Sequence, residues 1–287
     1  MRKSNQPIEV GRSEWAGFLV GLFVAWAILF GVPPSCGDTA GEPVEYRVFV
    51  RGMTSESGNS GSFTNLRGWT ITLDEAYAVV GPIYFYSNEA VPLAYRGGGG
   101  GFIKSAIACP ADAQFDKGEV LGEVLEQYVV DLLSDDYLDM GVRRGVAGTV
   151  RLFELHLHPP GRVNAGGGNA GVDVLRGETV FVKGRAVKDE ETVEFIGNFS
   201  IPDEDTMRIV QQIPAEAPLM SVDGGEARVY LGVKLDGWFA NVDFSSLTME
   251  DGSSRFVIDE ESQAYLAFLS GMRSRYSYVL GKEGGAR

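Results

Sequence analysis

The only two histidines of the chain, His156 and His158, stand two residues apart at the end of the apolar run Thr149–His158. Side chains of an extended strand alternate between faces, so the two imidazoles share a side. Their Cα atoms then lie about 7 Å apart, close enough for both rings to reach one ion. Imidazole nitrogen is a good donor to copper and zinc. Glu154 falls on the same face, but about 13 Å from His158 at Cα. That distance suits it to orienting His156 from behind better than to sharing the ion. The set needs one or two further donors, and Cys109 and Asp112 are the candidates from elsewhere in the chain. Such a site takes copper or zinc and releases it below about pH 6, as the imidazoles protonate. The plainer alternative is that His156 and His158 are polar residues on a solvated strand end.

The elements that must position these residues are strands. In Thr149–His158, Phe153, Leu155 and Leu157 form the face turned to the core. Val150, Leu152, Glu154, His156 and His158 form the open one, and Pro159-Pro160 stops the strand. Val44–Arg51 alternates in the same way, with Val44, Tyr46, Val48 and Val50 on one side. Gly68–Leu73 and Ala76–Tyr86 read as two strands, with Pro82 marking a bulge or an edge. Phe102–Ala108 is a further strand, and Gly118–Leu133 an extended lead-in to a buried one. Glu178–Lys188 and Thr192–Ile201 form a hairpin about Asp189-Glu190-Glu191. Met207–Ile213, Ala227–Leu235 and Arg255–Ile258 follow. The segment Trp238–Phe244 is a compact turn whose aromatic residues plug the core. A helix starts at Asp259, with Glu260 and Glu261 in its first turn and Arg273 and Arg275 near its end, as the helix dipole prefers. It turns Tyr265, Phe268, Leu269 and Met272 inward. The sum is about ten strands and one helix, which predicts a mainly β protein: an antiparallel β-sandwich with one C-terminal helix packed on it.

Residues 1–36 have the layout of an export signal. Arg2, Lys3 and Arg12 precede the charge-free run Ala16–Val32, and Pro33-Pro34-Ser35-Cys36 closes it. Three outcomes stay open. Cys36 becomes the lipidated first residue of the mature chain, although Pro33 and Pro34 stand where a lipoprotein signal has an aliphatic and a small residue. Or the segment stays as an anchor, its roughly 17 residues being the lower limit for crossing a bilayer. Or an ordinary cleavage nearby releases a soluble protein. Residues 37–43 then form a tether and 44–280 the β-sandwich domain, with a possible split into two subdomains near 159–174. If Cys36 carries no lipid, it can pair with Cys109 across a long loop, worth about 4 kcal/mol in the chain-entropy model.

With 39 acidic against 25 basic residues and a net charge of −14, the chain repels nucleic acid. It contains no G-x-S-x-G, no H-E-x-x-H and no Walker motif, so nothing points to an enzyme. Gly97–Gly101 lacks the Lys-Ser/Thr that follows a phosphate loop. Gly166–Gly171 fits G-x-G-x-x-G, but a proline-ended loop precedes it where a dinucleotide site requires a strand. Asp135-Asp136 and Asp203-Glu204-Asp205 lack the spacing of a calcium loop.

The runs Gly118–Leu125, Tyr128–Leu133 and Gly145–Val150, together with Trp238–Phe244, resemble a family of uncharacterised exported lipoproteins of myxobacterial type. The resemblance implies a place, the cell envelope, rather than an activity. That family has a His-Pro-Gly-His-like segment ahead of the first run. Cys109-Pro110-Ala111-Asp112 stands there in this chain, without either histidine. The expectation is therefore a membrane-tethered, extracytoplasmic binding protein for a transition metal, copper or zinc. The alternative is a structural or interaction module of the envelope, without metal, contacting a partner protein or polysaccharide.

Overall fold

Along the first strand, Tyr46, Val48 and Val50 are fully buried while Glu45 and the residues between them face outward. The same period-two burial recurs through the chain and builds its sheets. The computed structural model describes residues 42–54, 61–88, 119–161, 172–201, 208–219, 226–249 and 255–281. In order the strands are β1 (Pro43–Met53), β2 (Ser62–Thr64), β3 (Thr70–Val80), β4 (Ile83–Tyr86), β5 (Val120–Val124), β6 (Tyr128–Asp131), β7 (Leu138–Val146) and β8 (Gly148–His156). Then come β9 (Val180–Lys188), β10 (Glu191–Phe199), β11 (Ile209–Leu219), β12 (Ala227–Lys234), β13 (Thr248–Met249), β14 (Phe256–Ile258) and β15 (Tyr278–Gly281).

They form three sheets. Sheet 1 has the order β15-β12-β1-β7, and sheet 3 the order β11-β8-β4-β5. Sheet 2 runs β13-β14-β10-β9-β3-β2, with β6 also paired to β3. The edges of sheets 1 and 3 lie alongside one another twice, β5 by β7 and β11 by β15. One apolar core draws on all three sheets, and the arrangement is mainly β and sandwich-like. Most pairs are antiparallel as expected, but β1 with β12 and β10 with β14 are parallel. These pairs join segments far apart in sequence, which local pattern does not reveal.

The Gln263–Met272 helix packs as expected. Phe268 stacks on Phe199 of β10 at 3.9 Å between ring centres and meets Trp238 and Phe239 edge-on. These aromatic residues and Phe244 plug the core, as read from the sequence. The helix begins later than expected, however. Ser262 caps it, its Oγ accepting from the Tyr265 N–H at 3.0 Å, and Glu260 and Glu261 fall before the first turn.

Strand bounds differ as well, and β2, β13 and β15 are strands that the sequence pattern did not predict. β3 runs unbroken from Thr70 to Val80, absorbing Asp74 as a bulge, and the break comes at Gly81-Pro82. There the chain leaves sheet 2 and enters sheet 3. Gly81 has φ +113°, and a Cβ on it would sit 2.3 Å from the Glu126 carbonyl oxygen, so only glycine makes this passage. β7 is an additional strand. Its residues alternate poorly because Met140 alone among them is fully buried, which hides it from a hydrophobic pattern. β11 extends to Leu219, past Ile213, because shifts of register at Gln211–Gln212 and Ala215–Glu216 break its alternation. Pro214 and Pro218 are tolerated because β11 is an edge of its sheet.

Candidate functional site

β8 is held on one side by β4 and on the other by β11. Ile83, Tyr84, Phe85 and Tyr86 oppose Leu155, Glu154, Phe153 and Leu152, and Ile209 opposes His156. Past the strand end the backbone remains fixed. The His156 N–H donates to the Pro82 carbonyl and the Leu157 N–H to that of Arg208, both at 2.9 Å. Gln127 then ties down the Pro159–Gly161 turn, accepting from the Gly161 N–H at 3.0 Å. The two histidines therefore sit on an anchored segment rather than a loose strand end.

Their side chains fall on one side, as alternation requires. The His156 and His158 rings lie 5.8 Å apart between centres with 24° between their planes, and Tyr84 packs on His156 at 5.4 Å. Both histidines are half-buried. An ion held at about 2.0–2.1 Å by two imidazole nitrogens is about 3.2 Å from each ring centre, so rings 5.8 Å apart can span one ion once they turn out of their stack. The pair fits copper or zinc by donor type and separation. Among the described residues no group of three or more His, Cys, Asp or Glu side chains gathers as a ready-made cage. The expected additional donors, Cys109 and Asp112, lie outside the described residues, as does Cys36.

The face carrying the histidines differs from expectation at its other end. Phe153, Leu155 and Leu157 are buried as read, but Val150, Leu152 and Glu154 are buried too. The open face begins only at His156. Glu154 is 4% exposed, and its Oε2 accepts a 2.9 Å hydrogen bond from the Tyr86 hydroxyl. Burial first, and then the adjacent Glu154 carboxylate, push the Tyr86 phenol well above its ordinary value, so it remains a donor at every physiological pH.

Tyr84 and Tyr86 were missed by the sequence reading. Their own alternation in Ile83–Tyr86 was visible, but the register that sets them beside Glu154 and His156 joins residues about seventy apart. Asp135 and Asp136 lie in an exposed turn, where the Asp136 N–H donates to the Ser134 hydroxyl. The glycine runs 97–101 and 166–171, the strand expected at Phe102–Ala108 and the acidic run 203–205 lie outside the described residues.

No protein-family model, no curated protein and no solved structure matches this chain.

Proposed function

We propose that this chain is a membrane-tethered, extracytoplasmic β-sandwich protein that binds a transition-metal ion, copper or zinc, through His156 and His158. The observation that carries the reading is the imidazole pair itself: the two rings are neighbours at 5.8 Å on a segment fixed by backbone hydrogen bonds. A metal site benefits from ligands whose backbone does not move, because the ordering cost is then met by the fold. Glu154, two residues before His156 on the strand, is buried and accepts from the Tyr86 hydroxyl. With two protein donors and partial exposure, the site leaves coordination positions to water, Cys109 or Asp112. Support for the tether is the basic head and charge-free run before Cys36. Among the described residues no helix is long and apolar enough to cross a membrane. The resemblance to exported lipoproteins favours the same location.

The test is metal content and affinity of the full chain in detergent, by elemental analysis and equilibrium dialysis against copper and zinc. One ion per chain is expected, with binding lost in His156→Ala and in His158→Ala and weakened in acid, where protons compete for the imidazoles. Stoichiometric metal retained by the double alanine variant overturns the reading. Mass spectrometry of the native N-terminus tests the tether. Acylated Cys36 is expected, and an intact Met1 would show an uncleaved anchor instead.

A further inference from the structure

The outward face of sheet 2 carries a second candidate site that does not depend on the histidines. The strand registers bring Thr72 of β3, Arg185 of β9 and Glu194 of β10 into one row. Arg255 continues the row, one residue before the Phe195–Phe256 pair of β10 and β14. Over this row lies an open cavity of about 200 Å³, which Asp74 and Lys183 also line.

The backbone shapes the depression. The β3–β9 ladder slips at Asp74, and Gly184 lets β9 come so close that a Cβ there would lie 2.3 Å from the Thr72 carbonyl oxygen. Lys183 is neutralised by Glu75 at 2.6 Å. Among the described residues no ion pair engages Arg185, Asp74 or Glu194. Charge therefore alternates across the cavity, with Glu194 between Arg185 and Arg255 and with Asp74 beyond.

A bare anion there meets the carboxylates of Glu194 and Asp74, and a bare cation meets the Arg185 guanidinium. A ligand carrying both charges satisfies both sets. Arg185 offers a planar fork that matches a carboxylate, and Glu194 or Asp74 accepts from an ammonium group. Arg185 and Glu194 stand on neighbouring strands whose backbones are about 4.8 Å apart, so one short molecule carrying both charges can reach both. The cavity is smaller than those that hold drug-sized ligands, which favours an occupant no larger than a dipeptide. We propose that this face binds a small zwitterion of dipeptide size, its carboxylate on Arg185 and its ammonium on Glu194, directly opposite in the register.

Saturation-transfer NMR on the full chain, with glycylglycine as probe, tests this. Saturable binding is expected, with N-acetylglycine (no cation) and glycinamide (no anion) each at least about tenfold weaker, since each loses one charge-assisted contact. Arg185→Gln and Glu194→Gln should each weaken glycylglycine about tenfold, and His156→Ala should leave it unchanged. Both substituted side chains are exposed, so circular dichroism should show an unaltered fold. Equal affinity for N-acetylglycine and glycylglycine overturns the proposal. So does full binding by both variants, or no saturable transfer from millimolar probe.

Discussion

Asn65 and the His156–His158 pair are both polar groups set against the core, and they are treated in opposite ways. Asn65 is buried, and its side-chain amide is consumed by the backbone. Its Nδ2 donates to the carbonyls of Phe239 and Val242, and its Oδ1 accepts from the N–H groups of Arg67 and Trp69. It ties the β2–β3 turn to the aromatic plug, and Asp243 continues the knot by accepting from the Trp69 indole at 3.2 Å. The histidines instead stand half-buried at a strand end, with the fixed hydrogen bonds on their backbone and their rings facing each other. The contrast teaches where function has room. A polar side chain whose every donor and acceptor is spent on the main chain can only hold structure. A half-buried polar ring on a fixed backbone can take a ligand without a rearrangement of the fold.

That contrast is open to attack at several points. The largest effect is expected at Asn65. Asn65→Ala deletes four hydrogen bonds and takes their side-chain partner from the Val242 carbonyl and the Trp69 N–H, so denaturant unfolding should show a loss of about 3–4 kcal/mol. A loss under about 1 kcal/mol would mean that the knot is not a structural keystone.

Next is alkali. Tyr46 is fully buried beside Glu123, donating to its carbonyl at 2.9 Å, and burial pushes the phenol up to about 12. The folded state thus keeps this proton while the unfolded chain loses it near pH 10. The stabilisation is complete below about pH 10 and is lost as pH rises from there through about 12, by roughly 2–3 kcal/mol. Unfolding measured across that window should show the decline, and Tyr46→Phe should shallow it.

Tyr86→Phe is a smaller probe. It removes the donor to buried Glu154 and should cost about 1–2 kcal/mol, with Glu154→Gln recovering part of it in the double variant. Additive losses in that cycle would show that the two side chains do not act together.

The smallest effect on stability is expected at the site itself. His156→Ala and His158→Ala should each change unfolding free energy by no more than about 0.5–1 kcal/mol while removing metal binding. If either destabilised the fold as much as Asn65→Ala, the histidines would belong with the knot, and the contrast would fail.

How much of this was legible in the sequence depends on the range of the interaction. Period-two alternation in Val44–Val50 and Phe153–Leu157 identified the inward faces, because burial of alternate side chains is a local consequence of extended backbone. The same rule put His156 and His158 on one side. The helix was legible through Tyr265, Phe268 and Met272, but its start was not. Acidic residues before a helix mimic a first turn, and the Ser262 hydroxyl settled the boundary through one hydrogen bond. β7 and the far half of β11 were hidden for a related reason: half-buried residues and bulges carry no clear periodic signal.

What the sequence determined by itself was therefore the mainly β class, the inward faces of the regular strands and the shared side of the two histidines. Each follows from steric and hydrophobic rules that act over a few residues. Only the tertiary structure decided that Leu152 and Glu154 are buried and that Tyr86 caps the Glu154 carboxylate. It alone decided that Tyr84 packs on His156, and that Arg185 and Glu194 line one cavity with Arg255. Those facts rest on strand registers between segments tens of residues apart, such as β4 with β8 and β10 with β14. Register is set by the packing of whole sheets against one core, and no local stretch of chain contains that information.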